Sequence, residues 1–268
     1  MKKKFKLGVI GAGFMSSAIV NGAIGAGYLK NSDVIVSDPS ESALKKMSEK
    51  GVLGTIDNSQ IFEEAEFVLF AVKPQTFASA VQYVNKDEEY KIISIMAGVK
   101  IEKIRKIFPR ADVARCMPNT PCSVGYGAVG IDVSGLQTAA DVEFAKGLFS
   151  SFAEVVLMRE EALNVVTGIS GSAPAYFYLF LKGIIDAGVK RGLPETEAKK
   201  LAVNTMIGSG MMVKNNCDKS LDELITAVCS KGGTTIEAIK VYENERLSDT
   251  TDKAVAACVR RAEELENL

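Results

Sequence analysis

The sequence predicts an α/β fold in which a doubly wound parallel sheet fills the N-terminal half and an all-α domain follows. Three features of the chain support this prediction. A short apolar run near the start ends in a glycine-rich turn and leads into a helical pattern. Apolar runs of strand length then alternate with helical patterns, which is typical of parallel sheets with helices on both faces. After residue 158 only helical periodicity remains.

The first strand and turn are typical of a dinucleotide site. Residues 5–13 read F-K-L-G-V-I-G-A-G, and a helical pattern follows at once. Gly11 permits a tight turn, and Gly13 lets the backbone approach a pyrophosphate. The helix start at Phe14–Met15 would offer unpaired N–H groups to that anion. Ser16 holds the third position of the G-x-G-x-x-G fingerprint and is small enough for close packing.

The second predicted strand supports the same interpretation. Residues 33–38 read D-V-I-V-S-D, and Asp38 follows Gly13 by 25 residues. This spacing is close to that of a carboxylate that binds the cofactor ribose. A glycine fingerprint alone is a weak signal, but with this second strand it predicts a Rossmann-type domain.

Further strands and helices are predicted in alternation. They are a helix at 40–50, a strand at 66–72, a helix at 77–84, a strand at 91–96, a helix at 101–107, and strands at 112–116 and 155–158. The turns A-V-K-P (71–74), M-A-G (96–98) and C-M-P-N-T-P (116–121) follow three of these strands. Ligands of doubly wound sheets bind beyond the carboxyl ends of the strands. Each turn alone is compatible with a plain strand-to-helix connection, but three together favour a nucleotide site.

The C-terminal half predicts helices at 173–190, 195–214, 221–228, and after Gly233 and Ser248. The helix at 173–190 is apolar on most of its circumference, which is typical of a buried helix. A domain of about 110 residues has little core of its own in which to bury it. We therefore expect it to pack against a second subunit in a homodimer.

Composition excludes several classes of function. The net charge of -1 favours neither nucleic acid nor a membrane surface, and the longest apolar run, at 173–181, is too short to span a bilayer. Five cysteines without a C-x-x-C pair are typical of a reducing compartment, so a cytoplasmic protein is expected. The chain has no histidine, so we expect no metal site, and the chemistry must come from a cofactor, hydroxyls, carboxylates, lysines or the backbone.

A glycine-rich stretch lies before one C-terminal helix. Residues 229–237 read C-S-K-G-G-T-T-I-E, and Thr234 with Glu237 matches a capping box, so an ordinary helix start is the simplest interpretation. The N–H groups of Gly233, Thr234 and Thr235, together with the helix dipole, would also suit a carboxylate anion.

Five motifs together resemble the pyrroline-5-carboxylate reductase family over essentially the whole chain. They are G-A-G-F-M (11–15), A-V-K-P (71–74), R-C-M-P-N-T-P (115–121), G-S-A-P-A-Y (171–176) and S-K-G-G-T-T-I (230–236). The resemblance implies a Rossmann domain at 1–159 and a helical dimerisation and substrate-binding domain at 160–268. It also implies homodimers that can form rings, and NADPH- or NADH-dependent reduction of 1-pyrroline-5-carboxylate to L-proline, the last step of proline biosynthesis.

The resemblance also implies site residues. Cofactor contacts fall on Ile10, Gly11, Ala12, Gly13, Phe14, Met15, Asp38, Asn58, Ala71, Val72, Lys73, Pro74, Met96, Ala97 and Gly98. Substrate contacts fall on Glu160, Gly233, Thr234 and Thr235. The cofactor supplies the hydride, so a hydroxyl such as that of Thr235, bonded to the ring nitrogen, is enough to orient the imine. An active site without histidine is then chemically reasonable.

The chain departs from the family pattern at three positions. Lys231 replaces a proline of the family motif, Ala173 replaces a glycine, and Asp38 brings a carboxylate to the ribose position. A carboxylate there accepts hydrogen bonds from a free 2′-hydroxyl and repels a 2′-phosphate, so we expect both cofactors to work, with NADH equal or preferred.

Two alternatives remain in view. Another imine reductase or a β-hydroxyacid dehydrogenase is one alternative; the β-hydroxyacid dehydrogenases share this domain order, but they place a lysine one helical turn after a glycine motif. Here the fourth residue after Gly171 is Ala175, and the first lysine is Lys182. A non-catalytic dinucleotide-binding redox sensor would need neither the G-G-T-T nor the G-S-A-P-A-Y motif.

Overall fold

The computed structural model describes residues 3–266. Its strands are β1 Phe5–Ile10, β2 Val34–Ser37, β3 Leu53–Thr55, β4 Ala65–Phe70, β5 Lys91–Ser94, β6 Asp112–Pro118, β7 Gly127–Gly135 and β8 Ala153–Leu157. Its helices are α1 Phe14–Gly25, α2 Glu41–Ser48, α3 Asn58–Glu64, α4 Phe77–Ala80, α5 Ile101–Ile107, α6 Ala139–Ser150, α7 Leu163–Val166, α8 Ala173–Val189, α9 Glu195–Asn215, α10 Leu221–Val228, α11 Thr234–Asn244 and α12 Leu247–Glu266.

The eight strands form one sheet in the order β3-β2-β1-β4-β5-β6-β7-β8. All neighbours are parallel except β6 and β7, which are antiparallel. The predicted doubly wound sheet is therefore confirmed, with one reversed pair. The connection at 119–126 is too short for the crossover that a parallel pair needs, so β7 returns beside β6 as an antiparallel neighbour.

The two faces of the sheet carry separate apolar clusters. Phe67 and Leu69 of β4 pack into the cluster on the face of α1 and α6, while Val68 and Phe70 pack into the cluster on the opposite face. This alternation buries nearly every residue of the central strands, because helices cover both sides. The sheet is thus a rigid platform for the turns at its carboxyl end.

Several elements were not predicted from the sequence, and one was overestimated. The strands β3 and β7 and the helices α3 and α6 are absent from the prediction, while α4 covers Phe77–Ala80 instead of 77–84. Glycines interrupt the apolar pattern of β7 because neighbouring groups lie too close for side chains. A Cβ atom at Gly130 would lie 3.1 Å from Met158 Sδ and from a Val166 methyl carbon.

The chain divides into two compact units. Among the described residues, the first contains 3–174 with 257–266, and the second contains 175–256. The first break follows Pro174, later than the domain boundary expected after residue 159, and the end of α12 belongs to the first unit.

Helices make up the second unit. The bounds of α9 and α10 lie within one residue of the prediction. The apolar helix α8 is not buried within its own chain, since Phe177 is 57% and Leu179 is 73% exposed. None of the described helices is both long enough and apolar enough to cross a membrane.

Candidate active site

The glycine turn after β1 is hydrogen-bonded to the ends of both neighbouring strands, β2 and β4. The N–H of Gly11 donates to Ser37 O at 2.8 Å, and the N–H of Ala71 donates to Ile10 O at 2.9 Å. Gly11 has a φ of +103°, and a Cβ atom there would lie 2.8 Å from the carbonyl oxygen of Ala71. Only glycine fits this turn, because both the backbone angle and the contact exclude a side chain.

The start of α1 is open to an anion. Gly13 is the N-cap of α1 without a side-chain cap, and a Cβ atom at Gly13 would meet nothing within 4 Å. Ser16 is buried, and its Oγ donates to Gly13 O at 3.0 Å. The first-turn N–H groups of a helix have no intrahelical acceptors, so they are available to a phosphate.

A cavity of about 490 Å³ lies at this end of the sheet, where the strand order reverses between β1 and β4. Doubly wound proteins bind nucleotides at such switch points. Eight expected cofactor residues line it: Ile10, Gly11, Gly13, Asp38, Asn58, Ala71, Val72 and Lys73. Ser37, at the end of the predicted second strand, also lines it, and so do Ile56, Thr76 and Ser79. The sequence did not single out these last three, which lie near the ends of unrecognised or shortened elements.

Asp38 connects the glycine turn to α2. Its Oδ2 accepts the N–H of Ala12 at 2.7 Å, and its Oδ1 accepts the N–H of Ser40 at 2.8 Å. Ala12 therefore takes part in the site through Asp38 and does not line the cavity. Each carboxylate oxygen keeps acceptor capacity, so the same group can still receive a ribose hydroxyl.

The side chain of Asn58 is hydrogen-bonded within the protein through both its oxygen and its nitrogen. Its Oδ1 accepts the Ser37 hydroxyl at 2.6 Å, and its Nδ2 donates to Ala80 O at 2.8 Å. Asn58 thus joins the end of β2 to the end of α4. It borders the cavity, and its amide fixes the wall around it.

Lys73 is the one cation among the described residues that line the cavity. Its ammonium group makes no ion pair within residues 3–266. It also borders a second cavity of about 240 Å³, lined by Met15, Ala71, Val72, Ile95 and Pro118. A solvated ammonium beside both cavities is suited to a phosphate group.

The remaining expected cofactor residues lie around these cavities without lining either one. Phe14 is 63% exposed on α1, and Pro74 begins a short 3₁₀ turn. Met96 is buried, Ala97 is half-buried, and Gly98 has a φ of +68°. These three residues form the turn after β5, which is the neighbour of β4 in the sheet.

Glu160 is held by three contacts in the first unit. Its Oε1 accepts the N–H of Ile101 at 2.7 Å and Nη1 of Arg115 at 3.1 Å. Its own N–H donates to Asp132 Oδ2 at 2.7 Å. The carboxylate is therefore positioned at the start of α5, where a helix dipole favours negative charge.

Arg115, the first residue of the R-C-M-P-N-T-P motif, is a buried cation for which the sequence predicts no role. It lies on β6, and its Nη1 also contacts Glu266 Oε1 at 3.1 Å. Glu266 in turn pairs with Lys100 at 3.0 Å. Burial would raise the pKa of Glu266, but hydrogen bonds from Lys100, Asn164 and Arg115 outweigh it and hold that pKa below its usual value.

The glycine loop before α11 is a tight turn, and the predicted capping box is wrong. The N–H of Gly233 donates to Ser230 O at 2.9 Å, and Gly232 has a φ of +73°, as in a type II turn. Gly233 is the N-cap, so Thr234 is already helical and cannot cap the helix. Glu237 pairs with Lys240 at 2.7 Å instead of reaching back to the cap.

The two threonines begin α11 with unused donors. Their N–H groups lie in the first turn, where no intrahelical acceptor exists, whereas the N–H of Gly233 is already used by the turn. Within residues 3–266 neither threonine hydroxyl has a hydrogen-bond partner, and Thr235 is half-buried. The structure thus joins Gly233, Thr234 and Thr235 at one helix start in the second unit, while Glu160 belongs to the first.

Comparisons with known proteins agree with this geometry. Residues 160–265 match the family model described as pyrroline-5-carboxylate reductase dimerisation, and 6–98 match one described as NADP oxidoreductase coenzyme F420-dependent. The pyrroline-5-carboxylate reductase of Vibrio alginolyticus is 35% identical, covering 98% of both chains. That of Synechocystis sp. is also 35% identical, covering 97% of this chain and 98% of its own.

Solved structures give the same result. A pyrroline-5-carboxylate reductase from Coxiella burnetii superposes with a TM-score of 0.89 at 31% identity, covering 98% of this chain and 99% of its own. The pyrroline carboxylate reductase of Plasmodium falciparum, solved with NADP bound, gives a TM-score of 0.86 at 28% identity, covering 99% and 100%. The agreement extends over both units, from the glycine turn to α12, and the chain belongs to the pyrroline-5-carboxylate reductase family.

Proposed function

We propose that this chain reduces 1-pyrroline-5-carboxylate to L-proline with NADPH or NADH, the last step of proline biosynthesis. Family membership over nearly the whole chain supports this activity. The observation that carries it is the dinucleotide cavity at the switch point of the first unit, and the start of α11 in the second unit separately offers hydroxyl and N–H donors. Such donors suit a substrate that has a carboxylate beside a C=N bond.

The cofactor is bound by the turns after β1, β2, β4 and β5. The pyrophosphate lies on the start of α1 at 10–15, and Asp38 receives the ribose hydroxyls. Lys73, within the turn at 71–74, supplies positive charge to a phosphate, and Asn58 shapes the wall beside it. Residues 96–98 border the nicotinamide. When bound, the reduced nicotinamide supplies the hydride that the imine carbon receives.

The substrate is bound by the loop before α11 and by Glu160. The N–H groups of Thr234 and Thr235 bind the carboxylate, and Gly233, the N-cap of α11, allows its close approach because it has no side chain. The hydroxyl of Thr235 bonds the ring nitrogen and orients the imine. Glu160 uses Oε1 for Ile101 and Arg115, which leaves Oε2 to attract a protonated imine.

The chain works as a homodimer in this proposal. Residues 1–159 bind the cofactor, and residues 160–268 dimerise and bind the substrate, which matches the extent of the dimerisation family model. We further propose that dimers assemble into rings, that the enzyme works in the cytoplasm, and that it binds neither nucleic acid nor membranes, consistent with a net charge of -1.

Replacing Thr235 with valine tests the assignment. This change keeps the shape of the side chain and removes the hydroxyl. We expect kcat/KM for 1-pyrroline-5-carboxylate to fall by about 10- to 1000-fold, the scale of one or two good hydrogen bonds. The assay follows oxidation of NADH or NADPH by absorbance.

Thr251→Val is the matched control, because that hydroxyl donates only to Leu247 O on the exposed surface of α12. Equal kinetics in Thr235→Val and the control would remove Thr235 from the mechanism. Cofactor binding by the wild type without any turnover would instead support a cofactor-sensing protein.

A further inference from the structure

The last turn of α12 packs directly on the turn at 96–98. A Cβ atom at Gly98 would lie 2.8 Å from Cβ of Leu265 and 3.0 Å from its carbonyl carbon. Gly98 also has a φ of +68°, which disfavours any other residue. The backbone of this turn is therefore in close contact with the helix end, and its position depends on where that end lies.

The same helix end reaches the buried cation of β6. Arg115 is 1% exposed, and the side chain of Glu266 is 7% exposed. Nη1 of Arg115 lies 3.1 Å from Glu266 Oε1 and 3.1 Å from Glu160 Oε1. One guanidinium nitrogen thus serves two carboxylates, one from α12 and one from the proposed substrate site.

The side chain of Arg115 depends on few partners. Two cations, Lys100 and Arg115, pair with Glu160 and Glu266, and the buried Asp132, which accepts the N–H of Glu160, adds a third carboxylate. Nε and Nη2 of Arg115 are buried without an acceptor among residues 3–266. If Glu266 loses its charge, Lys100 loses the carboxylate with which it pairs and Arg115 keeps only Glu160, so we expect the positions of Arg115 and Glu160 to shift.

We propose that the last turn of α12 is a positioning element of the active site, in which Glu266 fixes Arg115 and thereby Glu160, and Leu265 fixes the turn at Gly98. This inference rests on the proposed roles of Glu160 and of residues 96–98. Neither Glu266 nor Arg115 touches substrate in this arrangement. Both act through residues that do.

The test compares Glu266→Gln with Glu264→Gln in the full-length protein. Glu264 lies on the same helix, two residues earlier, and pairs with Arg261 at 2.6 Å on the exposed surface. The readouts are the Kd for NADH from nicotinamide fluorescence without substrate, the KM and kcat for 1-pyrroline-5-carboxylate, and the melting temperature. We expect Glu266→Gln to raise both the Kd and the KM about 10-fold, as for other residues that orient a binding group. Glu264→Gln should match the wild type within about twofold, as expected for an exposed ion pair.

A second variant, Lys100→Met, removes one partner of Glu266 and leaves Arg115 between both carboxylates. It should raise the Kd for NADH and the KM for 1-pyrroline-5-carboxylate by a smaller factor than Glu266→Gln does. If Glu266→Gln does not fold, Lys100→Met is measured in its place. A lowered melting temperature with Kd and KM equal to those of Glu264→Gln would overturn the proposal. If the wild type does not reduce the imine, the proposed function is wrong. The Kd for NADH of Glu266→Gln, compared with that of Glu264→Gln, still tests the positioning role of α12.

Discussion

Among single residues, Asp38 has the largest expected influence on cofactor choice. Its carboxylate borders the cavity and accepts the N–H groups of Ala12 and Ser40. At about 5 Å and an effective dielectric near 20, its repulsion of a 2′-phosphate would be about 3 kcal/mol before relaxation and screening. Lys73 lies on the same cavity and offsets part of this. We therefore expect both cofactors to work, with NADH equal or preferred.

Asp38→Ser tests this expectation. The KM for NADPH should fall relative to that for NADH, by about 3- to 30-fold, because the charge repulsion is removed. Both cofactors should also bind more weakly in absolute terms, since serine cannot accept both backbone N–H groups. Asp38→Asn is the control that removes the charge at nearly constant shape. The expectation would be contradicted if the wild type favours NADPH tenfold and the ratio of KM for NADPH to KM for NADH is unchanged in both variants. Asp38 would then not discriminate between a 2′-hydroxyl and a 2′-phosphate.

Lys231 occupies the second position of the turn Ser230–Gly233. Gly232 follows it with a φ of +73°, and this turn type favours proline at the position of Lys231. Lys231→Pro should therefore stabilise the protein by about 0.4–1 kcal/mol through a smaller unfolded-state entropy. Thermal unfolding measures the change, and Lys231→Ala separates it from the loss of charge. Equal melting temperatures for the proline and alanine variants would contradict this account of the turn.

At the scale of elements, the last turn of α12 is expected to make stability depend on pH. The folded-state pKa of Glu266 is lowered, although burial opposes this, by hydrogen bonds from Lys100, Asn164 and Arg115. A lowered pKa contributes stability above the unfolded value of 4.5, and this contribution is lost as pH falls through the folded value. Glu266→Gln should thus cost about 1–3 kcal/mol at pH 7, the scale of a buried charged hydrogen bond.

The measurement is urea unfolding of the wild type and Glu266→Gln between pH 7 and pH 3. The difference in unfolding free energy should be constant near neutral pH and shrink below about pH 4.5, as the wild-type carboxyl protonates. Glu264→Gln should show little difference at any pH, because its ion pair with Arg261 is exposed. A difference that persists unchanged at pH 3 would mean that the charge of Glu266 is not what stabilises the helix end.

Elements with a local signal were predictable from the sequence, whereas contacts between distant residues were not. The glycine turn, the apolar strands and α5 each depend on neighbouring residues, and α5 has the predicted bounds, Ile101–Ile107. The pairing of Arg115 with Glu266 joins residues 151 positions apart, so no local pattern indicates it. Lys73 was expected among the cofactor contacts, but it lines the cavity of Asp38 from a different turn, so no local pattern indicates that these two charges share one cavity.

Errors at element ends have local physical reasons. The turn at Ser230–Gly233 leads directly into α11, so Gly233 is the N-cap. Thr234 is therefore already helical, and the capping box predicted at Thr234 does not form. The helix predicted at 77–84 ends at Ala80, where the carbonyl oxygen accepts Nδ2 of Asn58. A side chain from a distant element uses this carbonyl, which sequence periodicity cannot indicate.

At the scale of the whole molecule, the second unit leaves its apolar surface uncovered. A groove of about 590 Å³ lies between α8 and α9 and is lined almost entirely by apolar side chains. Exposed apolar surface of this kind marks an interface. The dimerisation family model covers 160–265, which includes both helices, so a second copy of the chain is the expected partner.

Phe180→Glu tests this dimer. Phe180 lines the groove, is 42% exposed in the single chain, and lies 5.9 Å between ring centroids from Tyr242. A glutamate there would place an unpaired charge in a dry interface, so aggregated or unfolded monomer is expected instead of a folded dimer. Sedimentation velocity and circular dichroism measure both outcomes. Tyr83→Glu is the matched control, since Tyr83 is an aromatic residue of the first unit that is 85% exposed. That variant should remain dimeric and active, whereas a soluble, active monomer of Phe180→Glu would show that the groove does not form the dimer.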